Sequence, residues 1–390
     1  SPNSAPLNSF ISTYLLAMSS NFSFFIPTDN ALKCYYDPVS MNYTQPYALS
    51  FNYDSKNVST PVSAYAYKFD PKTYQVDSVR INTSIKSAQI NNRLKDMLDQ
   101  HIIVHDSADV DGILNTKKEY FTTKGGAPVK VKTTNGIVGT KVQGAWQILH
   151  NEYATVQEYF DQSAKTNGYG NGMTYIIDKP LQATTNSVYS VLYDNGSETS
   201  PYEKFYQLCQ VDPDVLEEAG FADEYLSRTD KDKALAKYMI FTSSNPCMDY
   251  NVRFFSTYRY TIYVPTNAAI EKEIGKGLPT WESIANYIEL AKAEIARNES
   301  KPGYDVEEAT KAYKAKAQAM CTCLLNFVKY HFQDDAIYND KQSIAKTEYE
   351  TACINAVTNR YITVAVQNAG NNKLTVTDKT GKTLSVDPNH

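Results

Sequence analysis

The sequence lacks any run of about 18 or more consecutive apolar residues, so no segment of it reads as a membrane-spanning helix. It also lacks an excess of basic charge. Lys and Arg number 38 against 43 Asp and Glu, a net of -5, which leaves no positive footprint for nucleic-acid phosphates. Tryptophan occurs only twice and histidine five times. No G-x-S-x-G elbow and no P-loop is present, which removes the most recognisable hydrolase and nucleotide-binding signatures. The first residues, Ser1 to Pro6, carry no charged-then-apolar leader and read as a loose, trimmed start.

What is present supports folded domains. Hydrophobic residues make up 42% and charged residues 21%, enough apolar surface for packed cores and too little charge for a disordered chain. A length of 390 residues predicts two or three domains. Tyrosine is abundant at 31; its apolar ring and polar tip suit half-buried strands and contact surfaces. The six cysteines allow disulfides without requiring them, and Cys321-Thr322-Cys323 fits neither a C-x-x-C redox pair nor a zinc knuckle. Five of the six lie in the second half, so any bridge there is expected to be local. Sequons at Asn21, Asn42, Asn57, Asn82, Asn195 and Asn298 are neutral on secretion in a chain this rich in Asn, Ser and Thr.

The chain repeats itself. Phe22 to Leu32, F-S-F-F-I-P-T-D-N-A-L, matches Tyr260 to Ile270, Y-T-I-Y-V-P-T-N-A-A-I. Phe22, Phe24 and Ile26 alternate along one face, as do Tyr260, Ile262 and Val264, which predicts a strand in each copy. Pro27 and Pro265 end the ladder because they lack an N–H, and Thr28 and Thr266 are suited to cap a following helix. A second block, Leu94 to Val104, matches Leu324 to Phe332; each is an apolar-faced helix ending near a histidine, His101 or His331. The proline-to-histidine spacing is 74 residues in the first copy and 66 in the second.

Strands are expected after each second block. In the first copy, Val129 and Val131 precede a hairpin signal at Asn135-Gly136, with Ile137-Val138 as the return strand. In the second, Tyr361 to Val366 and Leu374 to Val376 flank a turn at Asn371-Asn372, and another turn falls at Thr380-Gly381. The first copy closes with Gly172 to Leu181, G-M-T-Y-I-I-D-K-P-L.

The strand-Pro-Thr-Asp/Asn-helix block resembles the first box of fasciclin domains, and the helix-histidine block resembles the second. Gly172 to Leu181 is similar to the closing strand of that family, with Ile177-Asp178-Lys179 and Leu181 as the matching positions and Met173 and Thr174 looser. The resemblance implies an α+β fold: two fasciclin-like domains, residues 1–183 and 184–390, each a β-wedge or sandwich core with flanking helices. The first domain is expected to have truncated N-terminal helices. The second is expected to lack its closing strand, because His390 lies 125 residues past Pro265 whereas Asp178 lies 151 past Pro27. Insertions separate the boxes. Residues 40–90 predict an added hairpin turning at Asp70-Pro71-Lys72; residues 280–323 predict added helices broken at Lys301-Pro302-Gly303, with Glu282, Glu289 and Glu294 on the solvated face. The turn-rich link from Gln182 to Pro201 is too short for a long tether, so the two domains are expected to touch.

Chemistry is sparse. His101 and His105 have zincin spacing, but Ile102 stands where the general-base Glu belongs, so one structural and one surface histidine are expected. Asp109-Val110-Asp111-Gly112 suggests a calcium loop, but Lys118 occupies the position that requires a bidentate Glu, leaving Asp109 a turn or helix-start role. Gly168 to Gly172 precedes a strand rather than a helix and reads as a loop, not a dinucleotide site. The sequence therefore predicts no catalytic residue, no metal site and no cofactor. The resemblance adds one candidate pair, Tyr330 and His331, because a Tyr-His pair at this box is tied to integrin-dependent adhesion in some animal fasciclin domains; the first copy has Gln100-His101 instead. The expected function is non-enzymatic adhesion or protein binding on a bacterial cell surface, with lipid anchoring in the full-length protein. The partners are a protein or glycan at the surface or matrix, with no nucleic acid, and membrane contact only through an anchor outside this chain. The alternative is a glycan- or nutrient-capture protein that works with an outer-membrane transporter through the aromatics of residues 40–90. A hydrolase is the remaining expectation, disfavoured because no nucleophile or metal constellation shows in the sequence.

Overall fold

A computed structural model describes residues 21–106, 109, 111–115, 117–134, 136–163, 170–184, 187–193, 199–242, 251–252 and 259–387. Val110, Asn135, Gly168, Asn195, His390 and one of the six cysteines, Cys247, which enter expectations above, lie outside the described residues. The chain is an α+β protein with nine helices and four sheets among the described residues. None of those helices is long and apolar enough to cross a membrane.

The first half opens with β1 (Phe22–Pro27), β2 (Tyr35–Tyr36), β3 (Tyr47–Tyr53), β4 (Val62–Asp70) and β5 (Gln75–Arg80). Helix α1 (Ser87–Gln100) leads into β6 (Ile102–Val104), then β7 (Tyr120–Thr122), β8 (Pro128–Lys132) and β9 (Lys141–Gln143). A short α2 (Ala145–His150), β10 (Ala154–Gln162) and β11 (Gly172–Ile177) complete it. Seven of these strands form one sheet in the order β6-β1-β11-β10-β9-β8-β7. A bridge between Ile103 and Thr123 draws β6 toward β7, so the sheet curls into a nearly closed barrel. The insertion forms its own antiparallel sheet, β2-β3-β4-β5, with Asp70 at the turn into β5 and α1 packed on one face.

The second half begins with four helices, α3 (Val188–Tyr193), α4 (Glu203–Cys209), α5 (Pro213–Glu218) and α6 (Arg228–Ala236). Asp212 and Ser227 cap α5 and α6 with side-chain oxygens on first-turn N–H groups. A two-stranded ribbon, β12 (Phe241–Thr242) with β13 (Asn251–Val252), precedes β14 (Tyr260–Ile262). Then come α7 (Asn267–Gly275), α8 (Trp281–Asn298) and α9 (Val306–Tyr330). Thr266, Thr280 and Asp305 cap these three, and Pro302-Gly303 separates the last two as the sequence predicts. Strands β15 (Phe332–Asp334), β16 (Ile344–Ile354), β17 (Tyr361–Asn368), β18 (Leu374–Thr377) and β19 (Thr383–Ser385) follow β14 in a six-stranded sheet in simple sequence order.

Three local expectations are corrected. Ile137 and Val138 form no strand; β8 returns as β9, three residues further on, because Ile137 to Thr140 are used in a turn anchored by Gly139 N–H to Val156 O. After Pro27 the chain makes a single 3-10 turn at Ala31–Lys33 rather than a helix, although Thr28 still accepts the Ala31 N–H as a cap. The alternating set Phe22, Phe24, Ile26 is not the one that fills the barrel. Phe25 does, fully buried against Tyr175 with ring centroids 5.4 Å apart, while Phe24 and Ile26 on the opposite face are only partly buried.

Four hydrophobic clusters form, and none combines residues from before 183 with residues after it. The largest, helical, gathers Phe205, Leu216, Ile284, Leu324 and Val328 with their neighbours. The barrel of the first half has a core of twelve buried residues, whereas the cluster centred on β17 and β18 of the second sheet has three, Val364, Val366 and Leu374. The two halves meet along a seam in which Tyr120 and Tyr338 stack at 4.9 Å with ring planes 6° apart.

Candidate functional site

The histidine that ends each repeated helix is held by the same geometry. His101 is the C-cap of α1, and its Nδ1 lies 2.6 Å from the Met97 carbonyl. His331 is the C-cap of α9, and its Nδ1 lies 2.8 Å from the Phe327 carbonyl. A carbonyl only accepts, so Nδ1 carries the proton in both rings and Nε2 is left as an acceptor. The strands beside them also agree. Phe25 N–H donates to His101 O at 2.8 Å, and Tyr263 N–H donates to His331 O at 3.0 Å. Phe22, Ser23 and Phe24 pair with Val104, Ile103 and Ile102; Tyr260, Thr261 and Ile262 pair with Asp334, Gln333 and Phe332. Counting from Phe22 and Tyr260 on one side, and from His101 and His331 on the other, the registers are identical.

The two corners differ in what covers them. In the first half, the N–H of Leu181, just past β11, donates to His101 Nε2 at 2.8 Å, and the ring is only 1% exposed. Burial pushes its pKa down to about 4. His331 is half-buried between Phe327 and Phe205, which also holds its pKa below the usual value. Tyr330 turns its hydroxyl toward the β18–β19 turn, where it accepts the Lys379 N–H at 2.8 Å. The predicted pair thus sits at the corner between α9, β14 and the far end of the second sheet.

Sequence reading missed a second constellation. Ser23 Oγ lies 2.7 Å from His105 Nε2, and His105 Nδ1 lies 3.5 Å from Asp109 Oδ2, the connectivity of a Ser-His-Asp triad. All three side chains are buried, at 2, 7 and 6% exposure, which corrects the expectation that one histidine of the pair is on the surface. A Cβ placed on Gly112 would stand 3.6 Å from His105 Nε2 and 3.9 Å from Ser23 Oγ, so the backbone of that loop lies directly over the pair. Asp109 keeps its expected turn role, its N–H donating to Asp106 O at 3.1 Å and its O accepting the Gly112 N–H at 3.0 Å, but its carboxylate does more. Lys118 Nζ holds both of its oxygens at 3.0 Å, neutralising the carboxylate that would otherwise orient and charge the imidazole. Lys118 was the residue that spoiled the calcium reading, and its ammonium fills the place of a cation. The cluster ties the 105–118 loop to β1, with His105 N–H donating to Asn21 O at 2.9 Å. His105 and Asp109 are four positions apart, but Ser23 lies 82 positions before His105, too far for any local pattern to pair them. Among the described residues no group of three His, Cys, Asp or Glu side chains is placed to hold a metal ion, and the five described cysteines are unbridged.

The third built feature is the seam between the halves. Asp340 is buried, and its carboxylate accepts the Glu119 N–H at 2.9 Å and the Tyr120 N–H at 3.2 Å. Lys341 Nζ reaches Glu119 Oε1 at 2.5 Å, and a groove of about 170 Å³ opens beside Tyr120 and Tyr338. Charge-assisted bonds of this kind contribute about 1.5–3 kcal/mol each when buried. Asp340→Ala is therefore expected to uncouple the halves while leaving each core intact. Differential scanning calorimetry should show one transition splitting into two; an unchanged single transition would mean that the seam does not couple them.

The aromatics of the insertion largely contact one another. Tyr36, Phe69, Tyr74, Trp146 and His150 form one aromatic group, stacked at Tyr36–Phe69 and Trp146–His150 and edge-on at Tyr36–Trp146, Tyr74–Trp146 and Tyr74–His150, and the Arg80 guanidinium covers the Tyr65 ring at 3.6 Å. Tyr53 and Tyr43 are the exposed rings of this region, at 74 and 46%. No protein-family model, no curated protein and no solved structure matches this chain.

Proposed function

We propose that the chain is a non-catalytic binding or adhesion protein built from two fasciclin-like domains, residues 1–183 and 184–390. The carrying observation is the shared register of the two strand–helix–histidine–strand corners, at β1 with β6 and at β14 with β15. The separate hydrophobic clusters of the two halves favour the same division. A binding role is favoured over catalysis because the one triad-like group is buried, covered by the Gly112 loop and neutralised by Lys118. Adhesion at a cell surface, through a protein or matrix ligand and with Tyr330 and His331 at the binding corner, rests on the family analogy.

The test is a combined array of matrix proteins and glycans probed with the purified chain, run beside an ester and amide hydrolysis panel. The expected outcome is saturable binding to a matrix protein and no turnover that Ser23→Ala removes. Hydrolysis abolished by Ser23→Ala would overturn the reading. Glycan binding lost in Tyr53→Ala would select saccharide capture instead, for which the exposed Tyr43 and Tyr53 of the insertion are the supporting observation.

A further inference from the structure

The two longest strands of the second sheet, β16 and β17, meet in a hairpin whose tip is Asn355 to Arg360. The apex residue Val357 is 94% exposed, and Ile354 and Tyr361, which pair across the last rung, are each close to half exposed. Further from the apex the apolar side chains turn inward: Cys353, Val364 and Val366 are buried. The large exposed apolar side chains of these two strands are therefore gathered at one end.

The tip is built to leave water. Asn355 N–H donates to Arg360 O at 2.9 Å, and Asn359 N–H donates to Asn355 O at 2.8 Å. The Asn355 carboxamide oxygen accepts the N–H of Val357 at 2.9 Å and that of Thr358 at 3.1 Å. Asn359 takes the left-handed backbone, φ 52°, that a short turn requires and that asparagine tolerates. In a medium that offers no hydrogen bonds, such internal pairing removes much of the cost of inserting a loop.

Charge is arranged beside the apex. Arg360 is exposed next to Tyr361. The β18–β19 turn reaches the same end, because the Tyr330 hydroxyl accepts the Lys379 N–H at 2.8 Å and donates to Thr363 O at 3.5 Å; it presents Lys379 to solvent. The carboxylate of that turn, Asp378, is spent on its own backbone, accepting the N–H groups of Thr380 and Lys382. Glu350 lies four residues below Ile354, about 13 Å down the strand.

We propose that the β16–β17 tip is a shallow membrane contact that enters the headgroup region of an anionic lipid surface. Val357 goes deepest, Ile354 and Tyr361 follow, and Arg360 and Lys379 meet the lipid phosphates. An aliphatic apex, then tyrosine, then cations is the order of polarity across a bilayer interface. An apolar pocket in a protein would be filled by Val357 alone and gives the flanking cations no partner. The contact is independent of the adhesion reading and adds a lipid surface to the partners named there.

The test is co-sedimentation of the full chain with vesicles of phosphatidylcholine, alone or mixed with phosphatidylserine. Three partly inserted side chains bury less than one myristoyl chain, so a partition constant of about 10³ M⁻¹ in lipid is expected on mixed vesicles, falling with added salt. Val357→Asp should lower it about tenfold, the loss of one aliphatic anchor. Arg360→Glu with Lys379→Glu should reduce binding on mixed vesicles to the level on phosphatidylcholine alone. Val58→Asp is the control, since Val58 is 90% exposed between β3 and β4 and should leave binding unchanged. All are surface changes, and unaltered urea midpoints verify the fold of each variant. No sedimentation at about 10 mM mixed lipid would overturn the proposal. So would equal losses from Val357→Asp and Val58→Asp. Binding to an arrayed protein that Val357→Asp abolishes, without vesicle partition, would overturn it in favour of a protein pocket.

Discussion

Gly172→Ala is expected to destabilise the first half by about 3 kcal/mol or more, a large effect for the smallest possible side chain. A Cβ at this position overlaps the Phe22 carbonyl oxygen and stands 2.9 Å from the Phe22 nitrogen. Both are backbone atoms of the neighbouring strand, so no rotamer change relieves the clash. The strands must part at their first pair. Parting disturbs the Phe25–Tyr175 stack on which the barrel core is centred. Gly136→Ala is the matched control, since an added Cβ there meets nothing within 4 Å. Urea unfolding followed by tyrosine fluorescence separates the two. Gly172→Ala within about 0.5 kcal/mol of the parent, the range of neutral surface changes, would mean that β1 and β11 are not adjacent.

The second large effect is with pH. His101 is neutral in the folded protein because both ring nitrogens are committed: Nδ1–H donates to Met97 O and Nε2 accepts from Leu181 N–H. Protonating Nε2 would set two N–H groups against each other in a buried site. The folded pKa is about 4 against the ordinary value of 6.5. Between those values the unfolded chain binds the proton and the folded chain does not. Stability is therefore full above about pH 6.5 and falls as the pH drops toward 4. At roughly 1.4 kcal/mol per pH unit the loss approaches about 3 kcal/mol. His105 and His331, also held down by burial, act in the same direction. Urea midpoints at pH 7 and pH 4.5 check this. The parent should lose much more than His101→Gln, which starts less stable but has no proton to take up at that site. Equal losses in the two proteins would place the acid sensitivity elsewhere.

What was legible in the sequence was local. Alternating apolar residues ending in Pro-Thr marked β1 and β14, and apolar helix faces ending in histidine marked α1 and α9, because strand and helix periods are written in adjacent residues. The helix breaks and the turns of β16 to β19 follow from Pro, Gly and Asn in the same way. Partners far along the chain were not legible. Nothing in the residues around Asp340 announces that it binds the backbone of Glu119 and Tyr120 some 220 positions earlier. His105 shows the same limit: its spacing from His101 suggested metal chemistry, but Ser23, 82 positions away, is what it meets. The misplaced return strand at Ile137 and Val138 shows a strong hairpin signal overridden by the tertiary demand of Val156 for the Gly139 N–H. Of the predicted pair, sequence alone placed His331 at a helix end but could not show that its ring packs between Phe327 and Phe205.

The central claim is that one strand–helix–histidine–strand unit occurs twice in the same register. Residue-resolved amide hydrogen exchange on the chain alone tests it most directly. Tyr263 should be protected like Phe25, since both donate to the carbonyl of the helix-ending histidine. Phe24 and Ile26, facing β11, should also exchange slowly. Fast exchange at Tyr263 with Phe25 protected would contradict the account, because the β14 corner would then not share the pairing of the β1 corner.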